Sequence, residues 1–168
     1  MKTIKKSALL LLGILFIASC CDEDMKNQDV TIEANQAPAV QLPAKFSLKA
    51  ANNMFLAIGI DSILYASEPD SLKAEVFETI DMGNGKSVLK ASTGKFLSDN
   101  LSYNSKIDVI RNKASDWEMF EIIKVASNKI NIKGIDGKYL SADLSTNSNI
   151  SAIREKADAW EVFEIIEK

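Results

Sequence analysis

Two phrases near the end of the chain, "DWEMFEII" at 116–123 and "AWEVFEII" at 159–166, hold the side chains best suited to chemistry. An exposed tryptophan can stack on a sugar ring, which makes Trp117 and Trp160 candidate platforms. Glu118, Glu121, Glu161 and Glu164 are candidate carboxylates, and two carboxylates suffice for glycoside hydrolysis. Much other chemistry is closed to this sequence. It contains no histidine, which removes Ser-His and Cys-His nucleophiles and His-ligated zinc. Its two cysteines, Cys20 and Cys21, are adjacent and supply neither a disulfide framework nor a metal cluster. No phosphate-binding or dinucleotide motif occurs. A net charge of −3 gives no basic field for nucleic acid.

A tryptophan three residues ahead of a phenylalanine, at the same place in two repeats, is what a symmetric core demands. Core packing is therefore the expected role of Trp117 and Trp160. The four glutamates alternate with apolar residues and read as an outer face. No carboxylate pair stands apart from the repeat, so no catalytic residue, metal ligand or cofactor is assigned. Lys95 and Lys138 follow turn glycines and read as solvated. The less symmetric positions carry the ligand expectation. Tyr103 interrupts the polar segment "SYNSK" where the later copy has Thr146. With Asn104, Ser105 and the matched Asn147 it would offer a flat ring and hydrogen-bonding groups, a shallow site for a sugar or peptide.

These residues sit in a repeat of 43 positions. Trp117 answers Trp160, Gly94 answers Gly137, Arg111 answers Arg154 and Phe120 answers Phe163. "TGKFLSDNLSYNS" (93–105) answers "DGKYLSADLSTNS" (136–148). A worn third copy precedes them, in which Asn53 stands for the turn glycine, Phe77 for the barrel phenylalanine and Ala74 for the tryptophan. Asn suits that turn because it tolerates the left-handed conformation. The copies span about 45–82, 83–125 and 126–168. Each reads as four short strands, with tight turns at Thr93-Gly94 and Asp136-Gly137. "KASDW" and "KADAW" each have room for one helical turn. Three four-stranded units are too few for a propeller ring but suit an all-β β-trefoil. One hairpin from each unit would build the barrel and three would cap it, removing exposed sheet edges.

The pattern "GKYLSA…I.A.R..A..WE.FEI" resembles the fascin-like branch of the β-trefoils over Lys45 to Lys168. The first copy lacks Gly-Lys and Trp. Actin bundling does not follow from the resemblance, because it uses several such domains and this chain carries one. The Gln-x-Trp mark of ricin-type trefoils is missing too, since Gln28, Gln36 and Gln41 all precede residue 45.

The N-terminus adds a location. Lys2, Lys5 and Lys6 precede an apolar run, Ala8 to Ala18, too short to remain as a spanning helix. Ile17-Ala18-Ser19-Cys20 resembles the lipobox of bacterial lipoproteins, which implies removal of residues 1–19 and lipidation, palmitate included, at Cys20. An ordinary secretory signal is the alternative. Loss of those lysines takes the net charge from −3 to −6. Asp22-Glu23-Asp24 resembles the surface-export signal of Bacteroides-like lipoproteins, or is a solvated linker. Residues 20–44, with Pro38 and Pro43, read as a tether. The expectation is a monomeric, outer-membrane, lipid-anchored protein facing the cell exterior. It would bind a glycan, or serve as an accessory to another envelope protein.

Overall fold

The structure, a computed structural model, describes residues 40–143 and 148–168. Cys20, the acidic run and Asn147 lie outside the described residues. Twelve strands run β1 (Phe46–Lys49), β2 (Phe55–Ile58), β3 (Leu64–Glu68), β4 (Phe77–Gly83), β5 (Lys86–Ala91), β6 (Phe96–Asn100), β7 (Lys106–Arg111), β8 (Glu121–Ala126), β9 (Lys129–Lys133), β10 (Tyr139–Ala142), β11 (Ile150–Arg154) and β12 (Phe163–Glu167). Each copy supplies four of them. The segments "DWE" and "AWE" form single 3-10 turns, 116–118 and 159–161, as the sequence leads one to expect.

Six strands close a barrel. β1 pairs with β12 and meets β4 at Phe46 opposite Phe77. β4 pairs with β5, β8 with β9, and β9 with β12. The remaining seam is a bridge between Ser87 and Phe120, whose N–H and C=O groups bond reciprocally at 2.8 Å. The barrel hairpins thus join the fourth strand of one copy to the first strand of the next. They do not lie within a copy, as the sequence suggested. The reason is local: the turns after β4 and β8 are short, with Asn84 and Gly85 both at positive φ in the first, whereas the connection inside each copy is occupied by the capping hairpin.

The caps are β2–β3, β6–β7 and β10–β11. They are tied in a ring around the pseudo-three-fold axis. The N–H of Val109 donates to the Ser62 carbonyl at 2.9 Å, Ala152 to Ser105 at 2.8 Å, and Ala66 to Ser148 at 2.8 Å. The three serines hold matched left-handed conformations, with φ of 64°, 50° and 59°. The hairpin turns are equally matched: Asn53 has φ 65°, Gly94 81° and Gly137 79°. Asn53 therefore does what its place in the repeat implies.

The core obeys the same symmetry. Phe77, Phe120 and Phe163 are fully buried, as are Leu56, Leu97 and Leu140 on the second strands and Leu64, Ile107 and Ile150 on the third. Removing one such phenylalanine side chain costs about 3–5 kcal/mol. Closed barrel, three caps and three-fold core define a β-trefoil. On the barrel wall Glu78 lies opposite Lys90, Glu121 opposite Lys133 and Glu164 between Lys49 and Lys129. Such cross-strand pairs of opposite charge favour this register. Glu121 and Glu164 thus belong to the outer face, as read from the alternation.

Candidate functional site

The two tryptophans are not core residues. Trp117 is half-buried and Trp160 is 38% exposed. The cause is the 3-10 turn, which breaks the strand alternation just before the barrel phenylalanine and turns the following residue inward instead. Glu118 and Glu161 are buried, at 1% and 3% exposure, which corrects their placement on the outer face. The N–H and hydroxyl of Ser115 donate to Glu118 Oε2 at 2.7 and 2.8 Å, and the N–H of Asp158 donates to Glu161 Oε2 at 2.7 Å. Both carboxylates close capping boxes that satisfy the start of the turn. This use of the charge is structural and leaves neither glutamate available as a catalytic group.

Freed from the core, Trp117 lines an open groove of about 400 Å3 with Arg111, Ser115, Asp116 and Glu118. The Arg111 guanidinium lies 5.7 Å from the indole centre, within range of a cation–π contact. The same positions in the third copy are Arg154, Asp158, Ala159, Trp160 and Glu161; in the first they are Glu68, Leu72, Lys73, Ala74 and Glu75. The arginine–tryptophan pair is therefore present twice. The two arginines, which are all the chain contains, are not in the same state. Arg154 Nη2 bonds Asp143 Oδ2 at 2.6 Å and its Nε lies 4.0 Å from Glu161. Arg111 pairs with no carboxylate among the described residues.

The Tyr103 cluster is a second exposed surface. Tyr103 is 51% exposed on the turn between β6 and β7, with the Lys106 ammonium 4.4 Å from its ring. Asn104 is exposed and takes a left-handed conformation at the end of that turn. Ser105 is half-buried and its carbonyl belongs to the three-fold ring. On the neighbouring cap the Tyr65 hydroxyl donates to Asp61 Oδ2 at 2.7 Å, which with the Ile63 N–H holds the Asp61 carboxyl below its ordinary range. Lys138 keeps a solvent-exposed side chain and is paired with Asp136 at 3.0 Å, which raises its pKa.

A residue missed in the sequence is Asp99, fully buried on β6. It faces the core at the position filled by Ile58 and Ala142 in the other copies. Neither of its oxygens makes a hydrogen bond of normal geometry, although the Ile135 N–H and the Ser105 hydroxyl lie close enough to offset part of the cost. Burial, reinforced by the Asp136 charge, pushes its carboxyl up to about 6. Gly134 makes the room: a β-carbon there would collide with the carboxylate, and the matched residues are Ala50 and Ala91. A polar residue at a core-facing strand position was the available signal. It was hidden by the polar run that follows.

No family model and no curated protein matches the chain. Solved structures do match, and they agree on the fold. The designed three-fold symmetric protein ThreeFoil is similar at 13% identity and a TM-score of 0.62, over 74% of this chain and 99% of that one. SeviL, solved bound to the asialo-GM1 saccharide, is similar at 10% identity and a TM-score of 0.58, over 75% and 98%. The lectin of Polyporus squamosus, solved bound to an epitope Neu5Aca2-6Galb1-4GlcNAc, is similar at 12% identity and a TM-score of 0.61, over 76% and 50%.

Proposed function

We propose that this chain is a non-enzymatic glycan-binding module, carried on the cell surface by a lipid on Cys20. The observation that carries the reading is the Arg111–Trp117 groove. It offers an aromatic face for the apolar side of a sugar ring, with the Arg111 guanidinium as donor and an exposed Asp116 carboxylate as acceptor at its rim. The two lectins among the similar structures lend support, since each was solved with a saccharide. Tyr103, Asn104 and Ser105 form a subsidiary contact surface in this reading, and Asn147 is retained as a candidate from its place in the repeat alone. The fascin-like resemblance and the outer-membrane address belong to the same proposal.

An accessory role toward another envelope protein is the second reading. It is favoured by Ile60 and Leu72, apolar side chains that stand almost wholly in solvent. A glycan array probed with the soluble domain, beside pull-down from detergent-solubilised envelope, separates the two. Glycan binding that Trp117→Ala reduces at least tenfold, about 1.4 kcal/mol, is expected. Binding to no glycan, with stoichiometric capture of an envelope protein, would replace the first reading by the second.

A further inference from the structure

We infer that the Arg111 groove selects a carboxylate-bearing sugar, a uronic or sialic acid, and that the matched Arg154 position is closed by an internal carboxylate. This rests on the glycan-binding reading of the same groove. An acid and its neutral neighbour have changed places between the second and third copies. In the third copy Asp143 follows β10 directly and holds the Arg154 guanidinium at 2.6 Å, while Ser151 lies on β11 opposite Ser141. In the second copy the matched residues are Asn100 and Asp108. The acid has crossed to the other strand, where it is 3% exposed and accepts from Asn100 Nδ2 at 2.6 Å. Asn100 is thereby engaged by Asp108, and Arg111 has the Trp117 ring beside it and no carboxylate partner among the described residues. Asp143 thus shows how a carboxylate seats on this arginine, and Arg111 lacks that carboxylate. Guanidinium–carboxylate bonds are among the stronger and more directional available, so an incoming ligand acid is the natural partner.

The surrounding charges lean the same way. Asn112 and Ser115 beside Arg111 replace Glu155 and Asp158 beside Arg154. Two acids in the second copy oppose this. Glu118 is spent on its capping box. Asp116, where the third copy has Ala159, stays exposed on the groove wall without pairing to Arg111. Asp116→Asn should therefore tighten acid-sugar binding, the opposite of what loss of a neutral-sugar acceptor would do.

Peptide mapping after treatment with an arginine-specific dicarbonyl reads both arginines in one experiment and needs no binding assay. In the intact soluble domain Arg111 should react roughly twofold to fivefold faster than Arg154, the range expected for a partly exposed ion pair. Asp143→Asn should remove most of that gap. Glucuronate and N-acetylneuraminate at millimolar concentration should protect Arg111, while glucose should not. The exchange Asn100→Asp with Asp108→Ser writes the third copy's pattern into the second, and should slow Arg111 and abolish its protection. Circular dichroism confirms that this variant is folded, and Asp143→Asn stands independently of it. Equal reactivity of the two arginines, or no protection by either acid sugar, overturns the inference. Equal protection by glucose and glucuronate overturns the acid preference yet leaves the groove a glycan site. Loss of array binding in Trp117→Ala tests that underlying reading separately.

Discussion

Asp99 shows what one residue out of register with its repeat does to stability. Its carboxyl titrates near 6 in the fold against an ordinary 3.8, so the folded state holds the proton more tightly than the unfolded chain. Stability from this group is then fully present below about pH 4 and is lost as pH rises through 6. Asp99→Asn keeps the shape and removes the charge. It should be more stable than wild type at pH 7 by an amount on the order of 3 kcal/mol, with the gap closing by pH 4. Urea melts at both pH values measure it, and a gap of equal size at each would place the titrating group elsewhere. Glu118 is the opposite kind of buried acid, satisfied at every turn. Glu118→Ala strips two hydrogen bonds from Ser115 and should cost about 1–2 kcal/mol, while the same change at wall-facing Glu121 should cost under about 1 kcal/mol.

At the scale of elements, the decisive one is the single 3-10 turn before each barrel phenylalanine. The sequence made its existence visible in "KASDW" and "KADAW" but not its phase. Strand alternation carried straight through it puts Trp117 inside and Glu118 outside, and the turn reverses both. Trp117→Ala should therefore cost well under the loss from Phe120→Ala, itself about 3–5 kcal/mol; chemical denaturation of the two variants orders them. The repeat itself was legible because its signals are local and three times repeated: turn residues at Asn53, Gly94 and Gly137, and apolar residues at Leu56, Leu97 and Leu140. The groove was not. Its character depends on Asn100 and Asp108 having exchanged roles with Asp143 and Ser151, and within each pair the two residues are eight apart on separate segments. The expectation at Tyr103, drawn from a local irregularity, correctly found an exposed aromatic. It could not find the arginine, whose repeat position looked like any other.

For the molecule as a whole, the copies have diverged in opposite directions. Core and turns keep three-fold symmetry, while the groove keeps Arg and Trp in two copies, with one arginine held internally. That leaves one open groove in the trefoil. If it binds glycan as proposed, avidity would come from many copies on one surface, which the proposed lipid anchor would supply. Cys20→Ala should abolish lipidation and leave the chain unprocessed or mislocalised. Mass spectrometry of the mature N-terminus checks this, and an unmodified terminus other than Cys20 would remove the anchor from the account. Replacing Asp22, Glu23 and Asp24 with alanine should protect the domain from protease added to intact cells.

The ring of serine carbonyls has a further consequence. Around the axis each copy donates one N–H to its predecessor and accepts one from its successor, always in the same rotational sense. Such a circuit has no beginning. Removing any one copy from this ring would leave a donor stranded at one end and an acceptor at the other. No copy can melt without opening the circuit for both others. A peptide holding one copy alone would meet its missing partners only in two further molecules of itself.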